Sequence, residues 1–336
     1  MLRVAINGFG RIGRNAFKAG FGRAGIEFVA INDLTDTKTL SYLLKYDTVY
    51  GRYSKEVAHD EHHLIVDGKE IKAFAEKDPS KLPWKDLDID VVLECTGVFL
   101  TEEKANLHID GGAKRVIISA PNKGGNINTY VLGVNDAKYG SNELILDNAS
   151  CTTNCVAPVA AIMHAVFGSE QAMMTTIHAY TADQALVDGP HKDLRRGRSA
   201  AQNIVPTTTG AAIATTQTIP ELKGLFDGLA IRVPVACGSL TDFTFLLKKA
   251  VTVEDINKAF KEAKKNPLYS HVLDITEDPI VSSDIVGSPY SSIVDLSLTK
   301  VVDGNLVKVI AWYDNEWGYS NRLVEMAIEV GKRLKK

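Results

Sequence analysis

Several features that would send the chain into a special class are scarce or missing. Four cysteines in 336 residues without a secretory signal suggest reduced thiols rather than a disulfide framework. No stretch approaches the ~20 consecutive apolar residues of a membrane-spanning helix. No internal repeat and no low-complexity run occurs, so neither a solenoid nor a disordered linker protein is indicated. Neither sign of charge dominates: 38 Lys and Arg face 41 Asp and Glu, for a formal net charge of −3. That balance gives no electrostatic reason to expect nucleic acid or a membrane surface as the main partner. The opening Met-Leu-Arg-Val-Ala-Ile-Asn enters a glycine loop without the longer apolar region and small-residue cleavage site of a signal peptide. A soluble, cytoplasmic protein with reduced thiols is therefore expected. No metal is expected, and the basic ending Gly-Lys-Arg-Leu-Lys-Lys reads as a solvated helix end.

What is present is ordinary in amount and informative in order. The apolar fraction of 45% and charged fraction of 24% match soluble globular chains, and the length suits two domains at ~100–200 residues each. Short apolar runs at Leu2–Asn7, Ile26–Ile31, Val91–Glu94 and Val116–Ser119 alternate with helical patterns such as Arg11–Phe21 and Glu102–His108. That alternation predicts a doubly wound parallel sheet. From Met173 onward the strand-like runs are longer: Met173–Ala179, Leu229–Pro234, Thr241–Lys248, Ser292–Leu298 and Val307–Trp312. This second texture predicts an α+β domain with a large mixed or antiparallel sheet and helices on one side. The expected division is 1–150, completed by a C-terminal helix over 316–336, and 151–315. Between Tyr180 and Ala201 lies a polar stretch whose length suggests a functional or interface loop.

Gly8-Phe-Gly10-Arg-Ile-Gly13 is a GxGxxG pattern, weak alone because glycine is common. Here it follows a predicted strand, opens a predicted helix and is followed about 20 residues later by Asp33, as a dinucleotide site requires. The first glycine would make the tight turn, the second would let backbone approach a pyrophosphate, and the third would allow close packing. The helix N-terminus would supply N–H groups and partial positive charge to the phosphates. Asp33 can accept hydrogen bonds from a ribose and would repel a 2′-phosphate, which favours NAD over NADP.

Ala149-Ser-Cys-Thr-Thr-Asn-Cys155 carries most information. Ser150 is a natural N-cap for an apolar helical pattern through Val156, Val159, Met163 and Phe167, which places Cys151 in the first turn, where the helix field favours a thiolate. Cys155 follows one turn later, too poorly placed for a disulfide. Cys155, Cys95 and Cys237 read as small buried residues. A free thiol is only about 3% ionised at neutral pH. Lowering its pKa to ~7 raises the thiolate about 16-fold but weakens the nucleophile about 5-fold, a net gain of about threefold. Positioning, proton transfer and oxyanion stabilisation must therefore supply most of the rate. His178, at a predicted strand end, is the candidate base, although spacing alone does not pair it with Cys151.

Over nearly its whole length the chain resembles the phosphorylating glyceraldehyde-3-phosphate dehydrogenases. The resemblance rests on Asn7–Arg14, Ala149–Cys155, His178-Ala-Tyr-Thr181, Asp193-Leu-Arg-Arg196, Pro206–Ala212 and Trp312–Ser320. It implies that Cys151 attacks the aldehyde, that His178 takes the proton, that NAD receives the hydride, and that inorganic phosphate cleaves the resulting thioester to 1,3-bisphosphoglycerate. It further implies two anion pockets, for glyceraldehyde 3-phosphate and for inorganic phosphate, drawn from Ser150, Thr152, Thr181, Arg196, Thr209, Gly210 and Arg232. Arg11, Ile12, Ser119 and Lys77 are implied as dinucleotide contacts, and Asn315 as the partner of the nicotinamide carboxamide. A homotetramer is implied, with the Tyr180–Ala201 loop near a neighbour's cofactor. Lys77 stands where the family usually has Arg, Gly189 where bacterial members often have Leu, and Ile213 where Lys is usual. Val235-Ala-Cys-Gly238 is also unusual after Arg232-Val-Pro, but none of these removes a catalytic group. Two other readings remain at this level: a related dehydrogenase acting on erythrose 4-phosphate, and a catalytically inert binding protein of the same fold.

Overall fold

The structure, a computed structural model, describes residues 1–334. Lys335 and Lys336, the end of the expected 316–336 helix and of the basic terminus, lie outside the described residues. The described residues form two compact units, one of residues 1–130, 138–149 and 320–334, the other of 131–137 and 150–319. No helix among the described residues is long and apolar enough to cross a membrane.

The first unit runs β1 (Leu2–Asn7), α1 (Arg11–Gly20), β2 (Ile26–Asn32), α2 (Thr37–Lys45), and a small pair β3 (Tyr46–Asp47) and β4 (Gly51–Arg52). It continues β5 (Val57–His59), β6 (His63–Val66), β7 (Lys69–Phe74), β8 (Val91–Glu94), α3 (Glu102–Asp110), β9 (Arg115–Ile118), β10 (Asn128–Thr129) and β11 (Ile145–Asp147). Nine of these strands form one sheet in the order β10-β11-β9-β8-β1-β2-β7-β6-β5. The six strands from β10 to β2, and β7 beside β2, pair in parallel, as near-continuous apolar strands covered on both faces do. The β5–β6–β7 end is antiparallel, an extension that the short, polar-interrupted sequence over 57–74 had not suggested. Helix α1 turns Ala16 and Phe17 inward, and the Phe17 ring lies 5.1–5.7 Å from those of Phe9, Phe21 and Phe28. Burying a phenylalanine of this kind contributes about 1.5–3 kcal/mol, which anchors the helix against the sheet.

The second unit contains α4 (Cys151–Phe167), β12 (Ser169–Ala179), β13 (Val205–Thr207), α5 (Ala211–Thr218), β14 (Phe226–Val233), β15 (Ser239–Leu247) and α6 (Val253–Lys265). After them come β16 (Leu273–Thr276), β17 (Ser292–Asp295), β18 (Lys300–Val302), β19 (Leu306–Tyr313) and the start of α7 (Trp317–Leu334). The sheet order is β13-β14-β12-β15-β19-β17-β16, with β18 on β19. It is mixed: β12 and β14 are parallel, while β15 is antiparallel to both β12 and β19. Period-two alternation sends Met174, Phe243, Phe245, Val307 and Val309 to one face, where they pack with Cys155, Val156, Val159 and Met163 of α4 and Phe260 of α6. Helix α4 is apolar nearly all round and is accordingly buried on most of its surface. The opposite sheet face leaves Met173 63% and Leu229 43% exposed.

A cysteine–histidine pair and a glycine-lined cavity

In the second unit Ser150 caps α4 as its pattern suggested: the Ser150 hydroxyl accepts the Thr153 N–H at 3.0 Å, and Cys151 is the first helical residue. His178 belongs to the inward-facing set of β12, the same set as Met174 and Thr176, so strand alternation turns its ring towards α4. The two meet, with Cys151 Sγ 3.4 Å from His178 Nε2. The other ring nitrogen, Nδ1, is 2.6 Å from the Ala179 carbonyl oxygen. Arg232 Nη1, which can only donate, also lies 3.0 Å from Nδ1, but the carbonyl is the closer partner and can only accept, so Nδ1 is assigned the proton and Nε2 the lone pair facing the thiol. Arg232 Nη1 then donates to the Ala179 carbonyl and to Thr181 Oγ1, both at 3.1 Å.

Electrostatics here differ from the expectation of a thiol acidified by its helix. Burial pushes the Cys151 thiol above its ordinary value, outweighing the Arg232 charge and the hydrogen bonds of the first turn, which act the other way. Burial, then the Arg232 guanidinium, push His178 down to about 3. Both partners are thus held neutral, a thiol facing an unprotonated Nε2. Such a pair can act as nucleophile and general base if the proton crosses as the sulfur attacks.

Around this pair the implied anion ligands have definite settings. Thr181, which accepts from Arg232, donates to Asp183, and Asp183 in turn takes a bond from Arg196 Nη1 at 2.6 Å. Arg196 also donates to Thr207 Oγ1 at 2.9 Å and to the Thr208 carbonyl at 3.0 Å. One hydrogen-bonded chain thus joins Arg232, Thr181, Asp183 and Arg196. Thr209 Oγ1 accepts the Ala211 N–H at 3.1 Å, and Gly210 caps α5 with open space where a Cβ would stand. The Thr152 side chain is buried and its hydroxyl is committed to Tyr313 at 2.9 Å, so it is not presented outward as a ligand hydroxyl would be. Asn315 Oδ1 accepts from the Gly238 N–H and the Ser239 hydroxyl at 3.1 and 2.9 Å. Two residues escaped the sequence reading. Asp183 sits two positions after Thr181 in an arginine-rich loop, the one available hint. Tyr313 lies within the Trp312–Ser320 stretch, its ring edge-on to His178 at 5.9 Å and its hydroxyl between Thr152 and Thr176.

In the first unit a cavity of about 390 Å³ opens at the C-terminal ends of β1, β2 and β8. Gly8, Gly10, Asp33 and Lys77 line it, together with Asn7 and Thr96. The three glycines serve three different needs. Gly8 has φ +89°, and a Cβ there would lie 2.7 Å from the Thr96 nitrogen. A Cβ on Gly13 would lie 2.1 Å from the Gly8 carbonyl oxygen. Nothing lies within 4 Å of a Cβ on Gly10, which leaves bare backbone facing the cavity ahead of α1, the setting in which a pyrophosphate is held. Asp33 accepts the Phe9 N–H at 2.8 Å and the Thr35 N–H at 3.0 Å, so its carboxylate also shapes the glycine loop. Arg11, Ile12, Gly13 and Ser119 do not line the cavity; the Arg11 guanidinium pairs with Asp47 at 2.8 Å. Cys95, expected to be buried, is partly exposed on the cavity wall, whereas Cys155 and Cys237 are buried.

A parallel dinucleotide-type sheet, with a cysteine–histidine pair on a second mixed-sheet unit, defines the class of thiol-dependent nicotinamide dehydrogenases. Residues 2–102 match the family description "Glyceraldehyde 3-phosphate dehydrogenase, NAD binding domain", and 150–315 match "Glyceraldehyde 3-phosphate dehydrogenase, C-terminal domain". The chain is 54% identical to "Glyceraldehyde-3-phosphate dehydrogenase 2" of Streptomyces avermitilis over 335 residues, covering 99% of each. It is 55% identical to the glyceraldehyde-3-phosphate dehydrogenase of Mycobacterium avium over 340 residues, again 99% of each. With "Glyceraldehyde-3-phosphate dehydrogenase 1" of Bacillus cereus the identity is 52% over 328 residues, 97% of this chain and 98% of the relative. The chain belongs to the glyceraldehyde 3-phosphate dehydrogenase family.

Proposed function

We propose that this chain oxidises glyceraldehyde 3-phosphate to 1,3-bisphosphoglycerate with NAD and inorganic phosphate, using Cys151 as nucleophile and His178 as base. The observation that carries the reading is the 3.4 Å approach of Sγ to an Nε2 whose ring is oriented by the Ala179 carbonyl. As Cys151 attacks the aldehyde carbon, His178 Nε2 takes the thiol proton and the carbonyl oxygen gains it, giving a hemithioacetal. His178, neutral again, then accepts the hydroxyl proton as the carbon is oxidised to a thioester. NAD, when bound, takes up the hydride. Phosphate oxygen attacks the thioester carbon and the Cys151 sulfur leaves, regaining its proton from His178.

The anionic substrate and phosphate would use Ser150, Thr152, Thr181, Arg196, Thr209, Gly210 and Arg232, whose hydroxyls, N–H groups and guanidinium groups are the donors such pockets need. Thr152 would contribute through its backbone, since Tyr313 holds its hydroxyl. The glycine cavity suits the cofactor: Gly8 and Gly10 would face the pyrophosphate with bare backbone and Asp33 and Lys77 would flank the ribose, while Arg11, Ile12, Gly13 and Ser119, off the cavity wall, stay as the dinucleotide contacts that the resemblance implies. Asn315, its Oδ1 already engaged, would offer Nδ2 to the carboxamide oxygen.

We extend the proposal to a cytoplasmic homotetramer. Among the described residues the four cysteines form no disulfide, which suits a reducing compartment. Leu186, Val187, Leu194 and Ile204 are each more than 70% exposed on and just after the long polar loop, and Met173 and Leu229 are exposed on the open sheet face. Apolar surface of this kind asks for a second copy of the chain.

The test is NADH formation from NAD and glyceraldehyde 3-phosphate with and without inorganic phosphate. Rapid, phosphate-dependent turnover is expected. A stoichiometric burst that stalls despite phosphate would leave acylation standing and remove the phosphate site, and no NADH would turn belief to another aldehyde or to an inert protein.

A further inference from the structure

Beneath the glycine cavity lies a buried polar assembly that no step of the proposed reaction uses. Glu94, at the end of β8, and His108, on α3, are both fully excluded from solvent. The Trp84 indole N–H, which can only donate, gives its hydrogen bond to His108 Nδ1 at 3.1 Å. His108 is thereby the Nε2–H tautomer, and it donates to Glu94 Oε2 at 3.0 Å. The same oxygen accepts the Asn7 side-chain N–H at 2.6 Å. The other oxygen, Oε1, accepts the Thr96 backbone N–H at 2.7 Å and the Thr96 hydroxyl. Four donors therefore converge on one carboxylate.

From there the bonds continue under the cavity. Asn7 Oδ1 accepts from Asn32 Nδ2 at 2.7 Å, and Asn32 makes a reciprocal pair with the Glu76 backbone at 2.8 and 2.9 Å. The assembly ties the ends of β1, β2 and β8 to the turn after β7, and Asn7, Asn32, Glu76 and Thr96 all line the cavity. Thr96 is also the residue against which Gly8 packs without room for a Cβ. A buried carboxylate with this many donors is costly to bury and strongly directional, so it fixes several loops at once.

We propose that Glu94 is a positioning residue for the dinucleotide: through Asn7 and Thr96 it sets the spacing of the glycine loop and the 95–98 loop between which the cofactor lies. The inference rests on the assignment of this cavity to NAD. An amide cannot replace the carboxylate, because whichever way it turns, its NH₂ meets groups that only donate or that already do so. Glu94→Gln is therefore expected to weaken NAD binding by about tenfold or more, the scale of losing charge-assisted hydrogen bonds. It should leave kcat at saturating NAD and the rate of Cys151 alkylation without NAD close to wild type.

The measurement is calorimetric titration of NAD into wild type and Glu94→Gln, alongside thermal unfolding and iodoacetamide labelling of Cys151. A raised Kd with unchanged labelling supports the proposal. A lowered Tm with an unchanged Kd overturns it and leaves Glu94 a stabilising residue only. No NAD binding by the wild type would overturn the cavity assignment, and the proposal with it. Should Glu94→Gln not fold, His108→Leu and His108→Gln ask the same question from a residue outside the cavity wall. Weaker NAD binding in the leucine variant, restored by the glutamine that keeps an N–H donor, supports the proposal; equal affinities in the two overturn it.

Discussion

His178 occupies a setting that makes its protonation an issue of stability as well as of chemistry. Its folded-state pKa is lowered from 6.5 to about 3, by burial first and by Arg232 second. A group depressed in this way contributes stability that is complete above the unfolded value and lost as the pH falls towards the folded one, because the unfolded chain binds the proton first. Unfolding free energy should therefore decline from about pH 6.5 downward through this residue, and His178→Gln should show a flatter acid limb while losing nearly all turnover. Urea titrations between pH 7 and 4 check this. Parallel decline in the two proteins would show that the His178 environment is not what makes the fold acid-sensitive. The same neutrality bears on the proposed reaction: with the thiol held up by burial, the nucleophile would be generated at the moment of attack, and the benefit would lie in a base already aimed at the sulfur.

At the scale of elements, α1 and its glycine loop separate two requirements that a sequence motif merges. Gly13 is a packing glycine, since its Cβ would collide with the Gly8 carbonyl. Gly10 has φ −72° and ψ −158°, open to any residue, with vacant space around a Cβ. Gly13→Ala should destabilise the protein by about 1–3 kcal/mol, the usual cost of overpacking, and weaken NAD binding with it. Gly10→Ala should unfold at nearly the wild-type temperature yet bind NAD poorly, because its methyl projects where the cofactor would approach. Calorimetry of unfolding and of NAD binding distinguishes the two, and equal behaviour of the variants would refute the division of roles. Helix α4 shows the complementary case. Its cap at Ser150 and apolar body were readable from local pattern, and its first turn holds the cysteine.

For the whole molecule, the exposed apolar side chains of the long loop bear on assembly. Leu194 is 84% exposed on the segment after Tyr180, close in sequence to the exposed Leu186, Val187 and Ile204, which makes it the place to test the proposed assembly. Leu194→Asp should shift the protein from tetramer towards smaller species in light scattering at micromolar concentration, and a wild-type monomer at that concentration would defeat the assembly proposal outright.

Much of this was legible in local sequence because local physics dictates it. Glycine spacing after a strand, a serine cap before an apolar helix and the strand-like run Met173–Ala179 each follow from backbone geometry within a few residues. The parallel strands, the glycine loop and the capped helix that begins at Cys151 could therefore be placed from local pattern alone. The antiparallel β5–β7 extension could not, since its strands are short and polar. Nor could the partnership of Cys151 with His178, 27 residues apart, which depends on a strand face meeting a helix end. The Asp183 link between Arg196 and Thr181, the capture of the Thr152 hydroxyl by Tyr313, and the four donors around Glu94 are long-range or burial effects. So is the upward shift of the Cys151 thiol. Composition and spacing determined which chemistry the chain could host; packing alone decided which groups are dry, which are paired and which proton sits where, because desolvation and hydrogen bonding act between residues the chain brings together only by folding.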